Sequence, residues 1–309
     1  MRPALIFLAL LNAVSAATTV GFLMKSRGGI YWQSVENAAL AEGRSIGVDV
    51  IVKGGVSLGD PSIQMRLLNA LIAQHVDAIV VSPSDPGRLL ELVNQARGAG
   101  IKIVVIDTPE WRDIADAYVD IGREKMADDA AALLTSLVDP TAEVSMLRHS
   151  QSDLGVTARE KLVLEKLRQI GPQLVVHSDV FASAINGEEK EKAAFLLEKY
   201  PKTRGIMTMA TQGTMAMIGV LQARKAGGAA AAIPFIGFGT NLTAAAARAI
   251  ESGVMDAWIA QLPGDIGAKC VDAAVAAARG QLKERLVHAG YSIVTRKNLH
   301  DPAMQALIE

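Results

Sequence analysis

Residues 76–109 read VDAIVVSPSDPGRLLELVNQARGAGIKIVVIDTP, and the fold class follows from the order of patterns within them. A short apolar run, Ala78–Val81, ends at a cluster of Ser, Pro and Asp residues that is typical of a turn and a helix N-cap. Leucines and a valine then recur at helical spacing until Gly98–Gly100 ends the helix. A second apolar run, Ile101–Ile106, follows. This order predicts two parallel strands in a sheet covered on both faces.

The same alternation extends in both directions along the chain. Further strands are predicted at Val20–Met24, Val48–Val52, Glu143–Leu147, Leu174–Val176, Gly205–Thr208, Pro234–Gly237 and Asp256–Gln261. Further helices are predicted at Trp32–Ile46, from Pro61, and at Glu124–Val138, Thr157–Ile170, Gly187–Tyr200, Met215–Ala226, Leu242–Glu251 and Pro263–Ala278. Two successive cycles predict an α/β protein with two doubly wound, Rossmann-like parallel sheets rather than one sheet.

The first 16 residues have the pattern of a secretory signal peptide. Met1-Arg2 gives a positive start, Ala4–Ala13 is a compact apolar run, and Val14-Ser15-Ala16 places small residues where a signal peptidase cleaves. The apolar run is too short to span a membrane. The alternative is a buried first strand, but a second strand-like run follows with no charge or turn between them. We therefore expect cleavage after Ala16 and an exported, soluble protein.

Composition argues against several classes of partner. The chain has 309 residues with 31 basic and 32 acidic side chains, so its net charge of −1 gives no electrostatic reason to expect nucleic acid or an anionic membrane. Only 4% of the residues are aromatic, which favours α/β architecture over an aromatic-rich β-sandwich. The single cysteine, Cys270, permits neither an internal disulfide nor a multi-cysteine zinc site.

The main signatures of nucleotide and metal chemistry are missing from the sequence. It contains no Walker phosphate loop, no GxGxxG after the first strand, and no HExxH or CxxC motif. The five histidines are scattered without the spacing of metal ligands. We therefore expect no metal and no cofactor.

Ligands of open parallel sheets bind beyond the carboxyl ends of the strands. The residues that follow the predicted strands provide amides, hydroxyls, carboxylates, a few basic heads and a few aromatic rings, and one histidine, His149. They lie at Lys25–Trp32, Gly54-Gly55, Ser82–Asp85, Asp107–Trp111, Arg148–Ser152, Asp179–Ile185, Met209–Gln212, Gly239–Asn241 and Gln261.

Several pieces of the chain resemble the periplasmic sugar-binding proteins of the ribose-binding type, which are the soluble receptors of ABC importers. The most specific piece is residues 76–109, in the order strand, turn, helix, Ala-Gly-Ile, strand and Asp. Other similar pieces are Ile236–Gly239, Ile259–Pro263, Ile266–Lys269 and Thr157–Glu160. The resemblance covers nearly the whole chain after the signal peptide.

This resemblance implies a type I periplasmic binding protein, with two lobes joined by a three-segment hinge. After the signal peptide (1–16), the first lobe comprises residues 17–122 and 262–291, and the second comprises residues 123–261 and 292–309. The same fold forms the effector domain of LacI-type repressors, but a signal peptide stands here where their DNA-binding helix-turn-helix would be. The crossings between lobes are expected near Ile121–Glu124, Gln261–Pro263 and Tyr291–Thr295.

The resemblance also implies ligand-binding residues. Tyr31 and Trp32 stand where the family stacks aromatic rings on a sugar, whose C–H faces favour an electron-rich ring; the alternative is a buried pair at a helix start. Asp107 stands where the family's carboxylate accepts two sugar hydroxyls, and the alternative is a solvated loop acid or a helix cap. Gln261 can both donate and accept, and its alternative role is a hydrogen bond in the hinge.

The chain departs from the family at several positions. Thr108 stands in place of an arginine beside Asp107, and Lys161 in place of a second arginine after Ala158-Arg159-Glu160. Lys25 and Gly29 also replace polar residues of the family near the first strand. An acid expected after Gly237-Phe238 is replaced by Gly239, for which Asn241 is a substitute. Thr211 or Gln212 supplies a polar contact, and we select Gln212.

These departures bear on the ligand. Lys25 and Lys161 in one cleft would favour a ligand with an acidic group, such as a sugar acid or an opine-like conjugate. The alternative is two surface lysines with solvated heads. The identity of the ligand therefore stays open, among neutral sugars, polyols and acidic derivatives.

We expect a periplasmic, monomeric binding protein that captures a sugar or sugar derivative and delivers it to an ABC transporter permease. One alternative is a sensor accessory that reports ligand occupancy to a membrane kinase or chemoreceptor. Another is a secreted enzyme, for which Asp107 and His149 are the nearest acid–base candidates, although they lack a recognisable supporting motif.

Overall fold

A computed structural model describes residues 18–28, 30–55, 60–150, 154–182, 187–228 and 232–308. The expected signal peptide at residues 1–16 and the departure at Gly29 lie outside the described residues.

The first sheet contains six strands, all paired in parallel. They are β1 (Thr19–Leu23), β2 (Asp49–Lys53), β3 (Ala78–Val81), β4 (Lys102–Ile106), β5 (Ala117–Asp120) and β11 (Leu286–His288). Their order across the sheet is β2-β1-β3-β4-β5-β11. The carboxyl ends of all six therefore lie along one edge of the sheet.

The second sheet also contains six strands, in the order β7-β6-β8-β9-β10-β12. They are β6 (Glu143–Arg148), β7 (Val175–Phe181), β8 (Thr203–Thr208), β9 (Phe235–Thr240), β10 (Ala257–Gln261) and β12 (Tyr291–Thr295). The edge strand β12 pairs antiparallel with β10, and the other pairs are parallel.

Helices connect the strands and cover the sheets. They are α1 (Ile30–Ile46), α2 (Pro61–Ala73), α3 (Pro86–Gly98), α4 (Arg123–Leu137), α5 (Leu154–Ile170), α6 (Glu189–Lys199), α7 (Thr211–Ala226), α8 (Ala244–Glu251), α9 (Pro263–Ala278) and α10 (Pro302–Gln305). Asp60 and Asp85 cap α2 and α3 by accepting hydrogen bonds from backbone N–H groups of the first turns.

Burial explains why the strands are continuously apolar. In β3, Ala78 and Val80 belong to one core cluster, whereas Ile79 and Val81 belong to another on the opposite face of the sheet. Because successive side chains of a strand point to opposite faces, a strand with helices on both faces needs an apolar residue at every position. The first cluster also contains residues of the second sheet, so the two cores are continuous on that side.

The prediction of two doubly wound, mostly parallel sheets is confirmed. The chain passes between the sheets at Ile121-Gly122, after Gln261, and at Ala289-Gly290. The third crossing, expected near Tyr291–Thr295, lies immediately before these residues, because they form β12 and pair with β10. The strands β5 (AYVD) and β11 (LVH) are not predicted from the sequence, because neither is a continuous aliphatic run like the four-residue β3.

Candidate functional site

Asp107 lies directly after β4, at the carboxyl edge of the first sheet. Its φ of 50° is left-handed, a conformation that Asp tolerates better than most residues. Nη2 of Arg123 lies 2.5 Å from its Oδ1 and donates a 2.9 Å hydrogen bond to its backbone carbonyl. Arg123 is the first residue of α4. The ion pair therefore joins the first sheet to the helix that follows the first crossing.

Charged groups on both lobes influence the pKa values of Asp107 and Tyr31. Burial raises the pKa of the Asp107 carboxyl group, Arg123 lowers it, and the net pKa lies above the ordinary value. Burial and the charge of Asp107 raise the pKa of Tyr31, while Arg159 and Arg123 act in the opposite direction. The charges of Asp107, Arg123 and Arg159 therefore all act on the Tyr31 hydroxyl.

Arg159 projects from the first turns of α5, and the residue is only 7% exposed. Its Nη2 donates a 2.6 Å hydrogen bond to the carbonyl of Met209, directly after β8. Its guanidinium carbon lies 5.5 Å from the ring centre of Phe238 in β9, a cation–π contact. These contacts fix Arg159 at the carboxyl edge of the second sheet.

Glu160 anchors the same helix to β6. It is fully buried, and its carboxylate accepts 2.8 Å and 2.7 Å hydrogen bonds from Nε of Arg148 and the backbone N–H of His149. A buried carboxylate without such donors would cost several kcal/mol, so this pairing accounts for its burial.

Tyr31 and Trp32 stand in the first turn of α1, with ring centres 5.2 Å apart and planes at 86°. Both are partly exposed, and both pack against the core cluster that spans the two sheets. Tyr31 thus combines core packing with proximity to Asp107, so its position is compatible with both interpretations drawn from the sequence.

Lys25 and Lys161 differ in exposure. Lys25 lies in the bend after β1 and is partly buried. Lys161 is exposed on α5, while Arg159 on the same helix is buried against β8 and β9. Two residues along a helix turn a side chain by about 200°, so these two side chains point to opposite faces. Arg159, not Lys161, is therefore the basic residue of α5 at the sheet edge.

The remaining predicted residues lie at the carboxyl edge of the second sheet with different exposure. Asn241 and Gln261, which follow β9 and end β10, are partly exposed. Gln212 is exposed in the first turn of α7. Thr211, the alternative to Gln212, accepts a 3.2 Å hydrogen bond from the backbone N–H of Thr240 and so helps to position the end of β9.

Packing explains the glycine at position 239. A Cβ atom there would lie 2.1 Å from the ring of Trp258 and 2.8 Å from Oγ1 of Thr211. Since such distances are far below van der Waals contact, an aspartate cannot be placed at this position without moving Trp258. The acidic residue that the family resemblance implies is thus excluded by the buried tryptophan behind β9.

Gln64 of α2 joins two loops at the edge of the first sheet. Its Nε2 donates to the carbonyls of Met24 and Ser82 at 3.3 Å and 2.7 Å. Its Oε1 accepts from the backbone N–H and the hydroxyl of Ser84 at 2.7 Å and 2.9 Å. The side chain is buried and uses its amide in both directions, so it fixes the loops that follow β1 and β3.

We expect Gln64→Ala to lower the free energy of unfolding by about 2 kcal/mol or more, because buried carbonyls and an N–H lose their partner. Gln95→Ala removes an exposed glutamine that donates to Glu91 on the surface of α3, and it is expected to change stability by less than about 0.5 kcal/mol. Urea unfolding of both variants measures the difference. Equal effects would contradict the anchoring role of Gln64.

Two features bear on the enzyme alternative. Within the described residues, no hydrogen bond joins Asp107 to His149, and the Asp107 carboxylate pairs with Arg123 instead. The pentapeptide GVSLG at Gly55–Gly59 has the G-x-S-x-G spacing of hydrolase nucleophiles, and Ser57 lies outside the described residues.

Arg123, Gln64 and Arg159 are site residues that the sequence patterns do not predict. Arg159 belongs to the segment Thr157–Glu160 that resembles the family. Its position relative to the buried face of α5 is a signal that favours it over Lys161. Arg123 gave no local signal, because it meets Asp107 only through the pairing of β4 with β5 and the crossing that follows.

An open groove of about 460 Å³ lies elsewhere, where β4 begins. Within it, Lys102 and Asp116 form an ion pair at 3.3 Å. It is at the opposite end of the sheet from Asp107, so we do not assign it to the candidate site. Its lining residues are Arg97, Lys102, Asp113, Ala115, Asp116, Ala277, Gly280, Leu282 and Arg285.

None of the described helices has the length and hydrophobicity needed to span a bilayer. In the same part of the chain, no group of three or more His, Cys, Asp or Glu side chains is arranged to hold a metal ion.

Comparisons with known proteins agree with the two-sheet architecture. A family model described as periplasmic binding protein domain matches residues 20–282. The D-allose-binding periplasmic protein of Escherichia coli (strain K12) is 25% identical over 272 residues, which cover 85% of this chain and 86% of that protein. The ribose import binding protein of Bacillus subtilis (strain 168) is 23% identical over 283 residues, covering 90% and 88%.

A solved structure shows the same fold. The carbohydrate transporter solute binding protein of Agrobacterium radiobacter, in complex with D-arabinose, superposes with a TM-score of 0.75. It is 22% identical, and the match covers 96% of this chain and all of that chain. The two-lobed architecture is therefore one that this solved protein shares.

Proposed function

The chain belongs to the periplasmic binding protein family, and on that premise we propose that it captures a sugar or sugar-derived small molecule between its two lobes. One observation carries the proposal. Asp107, at the carboxyl edge of the first sheet, forms an ion pair with Arg123, the first residue of α4, which leads into the second sheet. Groups from both lobes can thus contact one ligand.

The chemistry of these groups suits a polyhydroxylated ligand. The carboxylate of Asp107 accepts hydrogen bonds from hydroxyls, and the guanidinium groups donate to hydroxyl or ring oxygens. Tyr31 and Trp32 offer ring surfaces for the C–H face of a sugar. Lys25, Asn241 and Gln261 are proposed as further polar contacts, whereas the exposed side chains of Lys161 and Gln212 are not.

We propose that the protein works by closure about the three crossings. With the third crossing at Ala289-Gly290, the first lobe comprises residues 17–122 and 262–289. The second lobe comprises residues 123–261 and 290–309. A ligand that contacts both lobes binds the closed form better and shifts the population towards it. A sugar hydroxyl that closure buries without a partner costs about 1–3 kcal/mol, which gives selectivity.

We further propose that a monomer, exported by removal of residues 1–16, delivers the ligand to an ABC transporter permease. The relatives named above are binding proteins, which supports a receptor rather than an enzyme. No observation favours the alternative of a sensor accessory.

The decisive experiment identifies the ligand. Small molecules released from gently purified protein are analysed by mass spectrometry, and D-allose, D-ribose and D-arabinose are titrated by calorimetry. We expect tight binding of a sugar or a sugar derivative, which is recovered unchanged. Chemical conversion of the bound sugar would favour the enzyme alternative, and a failure of every sugar to bind would overturn the proposal.

Affinity is expected to decrease at acid pH. Hydroxyl donors bind the charged carboxylate, so affinity is full above the pKa of Asp107 and falls as the pH drops through it. Because this pKa is raised, the decrease should begin at a higher pH than for an ordinary aspartate, whose pKa is about 3.9. Calorimetry with a neutral sugar between about pH 4 and 7.5 tests this. An affinity that stays constant over this range would contradict it.

A further inference from the structure

Position 108 cannot place a polar group on the ligand. The hydroxyl of Thr108 donates a 3.0 Å hydrogen bond to the carbonyl of Ile106, and the residue is only 7% exposed. The side chain is thus folded back onto its own strand. The donor next to the Asp107 carboxylate comes instead from Arg123, 16 residues further along the chain.

Arg123 has donor capacity that the protein does not use. Its side chain is 13% exposed, and Nη2 makes both contacts with Asp107. Its Nε is buried and has no hydrogen-bond partner among the described residues. A guanidinium has five N–H donors in a rigid fork, so Arg123 can donate a hydrogen bond to a ligand oxygen beside the carboxylate.

The backbone fixes this arrangement at the first crossing. Gly122, with a φ of 69°, precedes Arg123. The backbone N–H of Gly122 donates a 3.1 Å hydrogen bond to Oδ1 of Asp120. A side chain at position 122 would be strained by this φ. The guanidinium therefore enters from the segment that links the lobes, while Asp107 belongs to the first sheet.

We propose that Arg123 contacts the ligand and determines specificity together with Asp107; this inference rests on the proposed function. One ligand hydroxyl donates its hydrogen to the Asp107 carboxylate while its oxygen accepts an N–H of Arg123. The pair selects a hydroxyl, which can do both, over a hydrogen or a methyl group, which can do neither. Because Arg123 begins α4, the contact also ties recognition to the crossing between the lobes.

The test combines Arg123 variants with deoxy analogues of the sugar that binds the wild type most tightly among D-allose, D-ribose and D-arabinose. Arg123→Gln is expected to weaken that sugar at least 30-fold, and Arg123→Lys, which keeps the charge without the fork, by a smaller factor. The control is Lys125→Ala on α4, where an exposed lysine pairs with Asp129. It should bind like the wild type.

The deoxy analogues separate a contact from a structural role. In the wild type, removal of the hydroxyl that contacts Asp107 and Arg123 should weaken binding strongly. In Arg123→Gln, the deoxy analogue should bind at most a few-fold more weakly than the parent sugar binds to the same variant. If Arg123 is only structural, the deoxy penalty stays as in the wild type, and the proposal is overturned. If Arg123→Gln does not fold, the same comparison is made with Arg123→Lys. Failure of every sugar to bind the wild type overturns the proposed function, and this inference with it.

Discussion

Asp107→Asn is expected to weaken ligand binding by about 100-fold or more, or about 2.8 kcal/mol at about 1.4 kcal/mol per tenfold change. Asparagine has nearly the same shape but lacks the charge that makes hydrogen bonds from two hydroxyls strong. Asparagine also tolerates the φ of 50°, whereas alanine would be strained there. The amide oxygen can still accept from Arg123. The empty protein should therefore stay folded.

Calorimetry gives the affinity of this variant, and circular dichroism gives the melting temperature of the empty protein. Asp113→Asn is a matched control, because Asp113 is an exposed acid in the loop between β4 and β5. It should bind like the wild type. A large loss of stability with intact affinity in Asp107→Asn would show that Asp107 is structural and would remove it from the site.

Gly267→Ala is expected to destabilise the protein by about 3 kcal/mol or more. A Cβ atom at this position of α9 would lie 2.3 Å from the carbonyl oxygen of Val35 and 3.0 Å from the backbone nitrogen of Ala39. Both belong to the backbone of α1, so no side-chain rotation can relieve the clash. The two helices must separate, and the aromatic pair at the start of α1 would shift with them.

Gly264→Ala is the matched control on the same helix. A Cβ atom at Gly264 meets nothing within 4 Å, so this change should leave stability within about 1 kcal/mol of the wild type, or raise it, since alanine favours the helix. Urea unfolding curves of both variants give the comparison. Similar midpoints for the two would contradict the close packing of α1 on α9.

Much of the fold was predictable because it rests on local patterns. The strands Ala78–Val81 and Lys102–Ile106 are continuous apolar runs, and Asp85 and Pro86 mark the start of the helix between them. The short strands β5 and β11 were not recognised, and β12 was expected as a crossing, because their place in a sheet depends on neighbours far along the chain.

From the sequence, a residue of the candidate site could be predicted only where it directly follows a single predicted strand. Asp107 meets this condition. On α5, Lys161 is exposed and Arg159 is buried. The rotation of the helix about its axis decides which of its basic residues faces the second sheet.

The sequence by itself determined the two parallel sheets and the carboxylate at the end of β4, since hydrophobic periodicity and turn residues act over a few neighbouring positions. Only the tertiary structure decided that Arg123 reaches Asp107, that Gln64 joins two loops, and that Trp258 leaves no space for a side chain at position 239. These contacts join residues 16 to 40 positions apart. Their distances depend on how strands and helices pack, which no local pattern of residues encodes.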